Sequence, residues 1–138
     1  MIYCEYQQLV RQIDTDGRAH RTDLAPMWMG DSTGYREGDT LVVESTNFND
    51  RIWIDRRGVP HSDQLRVVEC IHRNGENELI VDVTIEDPIA FTEPWSGRKV
   101  YEAVDWTIEE FVCLDNLSFQ EYENSVLEHG GNSTTSDQ

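Results

Sequence analysis

In the segment Leu79-Ile80-Val81-Asp82-Val83-Thr84-Ile85-Glu86, Leu79, Val81, Val83 and Ile85 fall on one side of an extended chain, with Asp82, Thr84 and Glu86 on the other. Alternation with a period of two is what a strand with one buried face requires, and a helix cannot use it. The pattern repeats just upstream over residues 64–73. Between the two runs stands Asn74-Gly75-Glu76-Asn77, whose Asn-Gly pair favours a tight reversal, so the two form a central hairpin. The same reasoning pairs residues 33–36 with 40–45 across Glu37-Gly38-Asp39, and residues 98–104 with 107–113 across Asp105-Trp106. Residues 2–6 and 9–13 add one long bent strand or two short ones, and no segment carries a helical period.

Seven or eight short strands joined by hairpins, without crossover helices, predict an all-β antiparallel meander. A small closed β-barrel of the lipocalin-like kind is favoured over a sandwich, because about eight strands enclose room for side chains or one small ligand. Three connections, 14–32, 46–63 and 87–97, are long for hairpin loops. They carry Trp28, Trp53 and Trp95, which points to ordered loops. The expected organisation is one domain over 1–113, a strap or helix over 114–128 and a disordered polar tail over 129–138.

Charge narrows the partners. Twenty-seven acidic against eleven basic side chains give a formal charge of −16, which repels nucleic-acid phosphates and anionic lipid surfaces alike. No stretch reaches the roughly 18 apolar residues of a spanning helix, and Met1 runs directly into strand-like sequence, so a cytoplasmic protein is expected from the chain as written. Export would require a signal ahead of it. Cys4, Cys70 and Cys113 are widely spaced, form no CxxC pair and sit in apolar runs, the pattern of reduced core thiols.

The polar loops carry a resemblance. Asp16-Gly17-Arg18, His20, Trp28-Met29-Gly30, Ser32, Gly34, Glu37-Gly38-Asp39-Thr40-Leu41-Val42-Val43, Pro60-His61-Ser62, Asp87-Pro88 and Pro94-Trp95 together resemble a group of uncharacterised bacterial proteins. Members of that group are commonly longer at the amino end and often carry an export signal. The resemblance implies homology and brings no activity or cofactor. Arg36 departs from the group, standing where an aromatic residue usually precedes Glu-Gly-Asp-Thr.

Candidate chemistry starts with His61, an imidazole fixed by Pro60 at the mouth of a strand. It is either a general acid–base or, with Ser62, a cap on the loop-to-strand junction. Glu69 shares a face with Leu65, Val67 and Ile71, and the hairpin register would set it opposite Val81 or Asp82. Burial there suits a catalytic acid; the alternative is an ion pair with Arg11, Arg66 or Arg98. Glu110, on a face with Ile108 and Val112, would be a second interior carboxylate, and the two could divide acid and base roles, hold a cation or form ion pairs. Arg18 and His20 could bind a carboxylate ligand or latch the loop through Asp55. Trp28, Trp53 and Trp95 would wall an apolar pocket or plug a barrel end. No His-x-His or His-x-x-x-His spacing suggests a metal site, and no cofactor is expected. Two readings follow: a barrel that binds an apolar or aromatic small molecule, with cofactor-free acid–base catalysis as an extension, or an interaction module with a filled barrel and no ligand. A homo-oligomer fits either.

Overall fold

A computed structural model of the chain describes residues 1–5 and 8–109. They fall into two units, Met1–Tyr3 with Val10–Trp106, and Cys4–Leu9 with the chain from Thr107 onward. Everything described below as a site lies within the first. The protein is all-β, with seven antiparallel strands in two sheets, and no α-helix occurs among the described residues.

Strands β1 (Ile2–Cys4) and β2 (Leu9–Arg11) form the small sheet. The large sheet is a plain meander of β3 (Asp31–Glu37), β4 (Thr40–Thr46), β5 (Arg66–Asn74), β6 (Glu78–Glu86) and β7 (Trp95–Glu102), each paired with its neighbour in sequence. The two central hairpins are those expected. β7 starts at Trp95, three residues before the expected strand, so Trp95 belongs to the sheet and not to a loop. Its expected partner does not form over 107–109, and 110–113 lie outside the described residues, as do the strap and the tail. No pairing joins β3 to β7 among the described residues, so the closed barrel is not seen in this part of the chain.

One register differs from both alternatives read from the sequence. The β5–β6 loop has three residues, 75–77, with Gly75 at φ +70° and Asn74 opposite Glu78, and this sets Glu69 against Val83. The pair is neither Glu69–Val81 nor Glu69–Asp82. An Asn-Gly dipeptide suggests a two-residue turn, but a left-handed glycine followed by two further residues serves the longer loop as well.

Because directly opposed residues share a face, the registers divide the sheet cleanly. One face, here called the inner, carries Ser32 and Ser45 beside Val43, Val67, Glu69, Val81, Val83 and Ile85. The other carries Asp31, Thr33, Glu44, Arg66, Asp82 and Glu86 beside Val42 and Ile80. Burial is densest at β4, where Val43 is fully enclosed, and continues through Val42, Ile80, Val81, Ile85 and Leu65. It fades at β7, every residue of which is exposed. Cys4 is exposed and Cys70 half-buried, so the expectation of core thiols fails for Cys4; Cys113 lies outside the described residues.

Candidate functional site

The connection between β2 and β3 lies along the outer edge of β3, and Asp14 bridges Thr33 there in parallel pairing. Gly30 makes this path possible. A Cβ at that position would stand 2.5 Å from the Thr46 carbonyl oxygen and 2.9 Å from the Phe48 ring, and the residue sits at φ +65°, so only glycine lets the loop approach the end of β4.

Asp31, nearly buried at the start of β3, is the hub of the loop. Arg18 grips it with two parallel bonds, Nη1 to Oδ2 at 3.0 Å and Nη2 to Oδ1 at 2.7 Å. Arg18 also donates to Asp14 through Nε and Nη2, and to the Ala19 carbonyl. A guanidinium has five N–H donors, and all five are engaged. Asp31 further accepts from the Arg21 backbone N–H and meets His20 Nδ1 at 3.1 Å. Arg18 above all holds the Asp31 carboxyl far below the usual carboxylate range, against an opposing contribution from burial, with the Arg21 amide and His20 adding to the effect.

An ionised carboxylate only accepts, so His20 directs an Nδ1–H at Asp31. Its Nε2 then faces Thr33 Oγ1 at 3.2 Å and Glu44 Oε1 at 3.5 Å. Glu44 is held by Arg66, which bridges to Glu86 on β6. Arg66 first, and His20 less strongly, keep the Glu44 carboxyl below its ordinary value. A line of polar contacts, with the His20 imidazole between the charged groups, thus crosses four strands on one face: Asp14, Arg18, Asp31, His20, Glu44, Arg66, Glu86.

Among the described residues the inner face holds one ion pair. Arg11 donates from Nε to Ser32 Oγ and from Nη2 to Ser45 Oγ, and its Nη2 lies 2.5 Å from Glu69 Oε2. That last contact is ionic and off the N–H direction, and Oε2 accepts no aligned hydrogen bond. Among the described residues Arg11 Nη1 donates to nothing. Arg11 also lines a cleft of about 620 Å³ between β2, the long loop and the start of β3, with Val10, Leu24, Met27 and Met29 as its apolar lining and Arg21, Arg18, Asp14 and Asp31 among its charged lining.

The residues expected from the sequence are scattered with respect to this cleft. Glu69 pairs with Arg11, one of the three arginines foreseen for it. Arg18 latches its loop, but through Asp14 and Asp31; Asp55 instead binds Arg57 within its own turn. His61 directs Nδ1 at the Ser62 carbonyl and packs edge-on against Phe48, while Ser62 is clamped by Asp87, the arrangement of a junction cap. Trp28, Trp53 and Trp95 are 56%, 66% and 40% exposed and do not share a wall: Trp53 lies in a separate depression with Ile52 and Ile54, and Trp95 meets Phe91 edge-on. Glu110 lies outside the described residues.

Asp87 is a second buried carboxylate, outside the candidates drawn from the sequence. It accepts from the Ser62 backbone and hydroxyl and from the Ile89 and Ala90 amides, tying two long loops together. Burial pushes its pKa up, the four donors outweigh that, and the net displacement is downward. The Asp-Pro step, with backbone amides free just beyond the proline, was the available signal. Asp31 offered a weaker one, as an acid beside Gly30 at a strand start.

No protein-family model, curated protein or solved structure matches the chain. Among the described residues no helix is long and apolar enough to cross a membrane.

Proposed function

We propose that the protein binds a small molecule with an apolar body and an acidic or carbonyl head in the cleft between β2 and β3. The observation that carries this is Arg11: its Nη1 donors are uncommitted among the described residues, and it stands beside four apolar side chains in a space of about 620 Å³. Small-molecule sites usually enclose roughly 300–1,000 Å³ and pair an apolar wall with a few polar handles. The handle is Arg11 and not Arg18, whose donors are all occupied. Membership in the group of bacterial proteins with similar loops is part of the same proposal, and Arg18, Gly30 and Ser32, shared with that resemblance, all line the cleft.

An acid–base extension rests on His20, oriented by Asp31 with its far nitrogen toward Thr33 and Glu44. Orientation by a carboxylate is how imidazole bases are commonly held. His20 is not a cleft-lining residue, so binding is the primary reading and catalysis the second.

The test uses anilinonaphthalene sulfonate, an aromatic body with an anionic head. Saturable one-to-one fluorescence enhancement is expected with the native protein, weakened at least about tenfold in Arg11→Met/Glu69→Leu, which removes the handle without leaving a buried charge unpaired. Linear, non-saturating enhancement, or equal affinity in the double variant, overturns the proposal.

A further inference from the structure

β7 ends the large sheet with no strand paired to its outer side among the described residues, and Val100 and Tyr101 are half-exposed, at 53% and 51%. An unpaired edge is a template for another strand. In a chain of net charge −16 this edge is locally basic, holding Arg98 and the chain's lone lysine, Lys99, with Glu102 at its end. We infer that β7 pairs antiparallel with β7 of a second copy, in a register centred on Val100.

The register follows from symmetry. A two-fold axis joining two antiparallel edge strands into one sheet is perpendicular to that sheet and preserves its faces. Residues set directly opposite each other must therefore lie on the same face, and because faces alternate along the strand the axis must pass through a residue position, not between two. Centring on Arg98 or Lys99 sets that cation against its own copy. Centring on Tyr101 leaves Val100 opposite the copy's Glu102 and Lys99 opposite its Ala103. Centring on Val100 gives a favourable partner to every position from 98 to 102. Val100 meets Val100 once, on the axis, while Arg98 meets Glu102 on the same face and Lys99 meets Tyr101 on the other, each of these two contacts occurring twice. Opposite charges, apolar pairs and a cation beside an aromatic ring are each favourable across a strand pair. Arg98 already holds Asp82 of β6 through Nε at 2.6 Å and Nη2 at 2.9 Å, and among the described residues its Nη1 donates to nothing. The product is a continuous ten-stranded sheet with β3 at both ends.

Native mass spectrometry and sedimentation equilibrium of the full chain at micromolar concentration read the subunit count. A dimer is expected, weakened at least about tenfold by Val100→Lys, which sets ammonium against ammonium at an exposed position and leaves the β6–β7 fold in place. The register is read separately in a background with Cys4, Cys70 and Cys113 changed to serine. Opposed residues in an antiparallel pair have Cα atoms about 4.5–5.5 Å apart, within disulfide range, so Val100→Cys should cross-link under mild oxidation while Lys99→Cys and Tyr101→Cys should not. A monomer throughout, a dimer indifferent to Val100→Lys, or equal cross-linking at all three positions overturns the inference. A monomer would point back to closure of the edge within one chain, as the strand number suggested.

Discussion

The two ends of the large sheet are finished in opposite ways. At β3 a long loop runs along the edge, Asp14 bridges Thr33, and charges from the loop reach across to β6 through Arg18, Asp31, His20, Glu44 and Arg66. At β7 both faces of the strand are exposed, and among the described residues its inter-strand side-chain bonds are the surface pair Arg98–Asp82 and a hydroxyl contact between Thr84 and Ser96. Edge strands must be covered, charged or paired; the β3 edge is covered by its loop, and the β7 edge has no paired strand among the described residues. Stability should therefore concentrate at the β3 end and association at the β7 end.

The contrast can be broken most severely at Asp31. Asp31→Ala leaves Arg18 and the Arg21 amide without their shared acceptor, and should cost about 3 kcal/mol in urea unfolding. Asp31 also gives the comparison a pH signature. A carboxyl whose folded pKa is depressed contributes stability that is full above the unfolded value near 3.9 and is lost as pH falls through the folded one. Unfolding free energy of the native protein should decline from about pH 5 downward, and the slope should be shallower in Asp31→Ala. An unchanged slope would mean that the carboxylates elsewhere carry the acid sensitivity.

Arg11→Met follows, at about 2–3 kcal/mol, since it strands Glu69 in an apolar face. Adding Glu69→Leu should recover most of that loss; failure to recover would show that the bonds to Ser32 and Ser45 matter more than the ion pair. Asp87→Ala should cost about 2 kcal/mol and raise proteolytic nicking in the two loops it ties, 47–65 and 87–94. The smallest effect belongs to the bare end: Val100→Ser should change monomer stability by less than about 0.5 kcal/mol. A loss above 1 kcal/mol there would mean that the exposed end is as structural as the covered one.

Much of this fold was legible in the sequence, and the reason is local. Alternation over 79–86 and turn residues at 38 and 75 need no information from elsewhere in the chain, and they delivered β3 to β6 with their pairing order. The site was less legible because ion pairs between distant elements depend on loop path and on register. Arg18 and His20 stood out as a cation and an imidazole after a turn, but their common acceptor lies at a strand start more than ten residues on. A single extra loop residue after Asn74 decided what faces Glu69. His61 and the tryptophans attracted attention by residue type, and type alone does not say whether a side chain points into a cleft or out to water.

The triplet Gly30-Asp31-Ser32 meets three separate demands in consecutive positions: backbone clearance beside Thr46 and Phe48, the acceptor for Arg18, and a hydroxyl for Arg11. Substitutions at one of these cannot be compensated at the others, because each answers to a different partner. Over long divergence this triplet should change more slowly than any other part of the loop. A search for distant relatives would do best to anchor its alignments there.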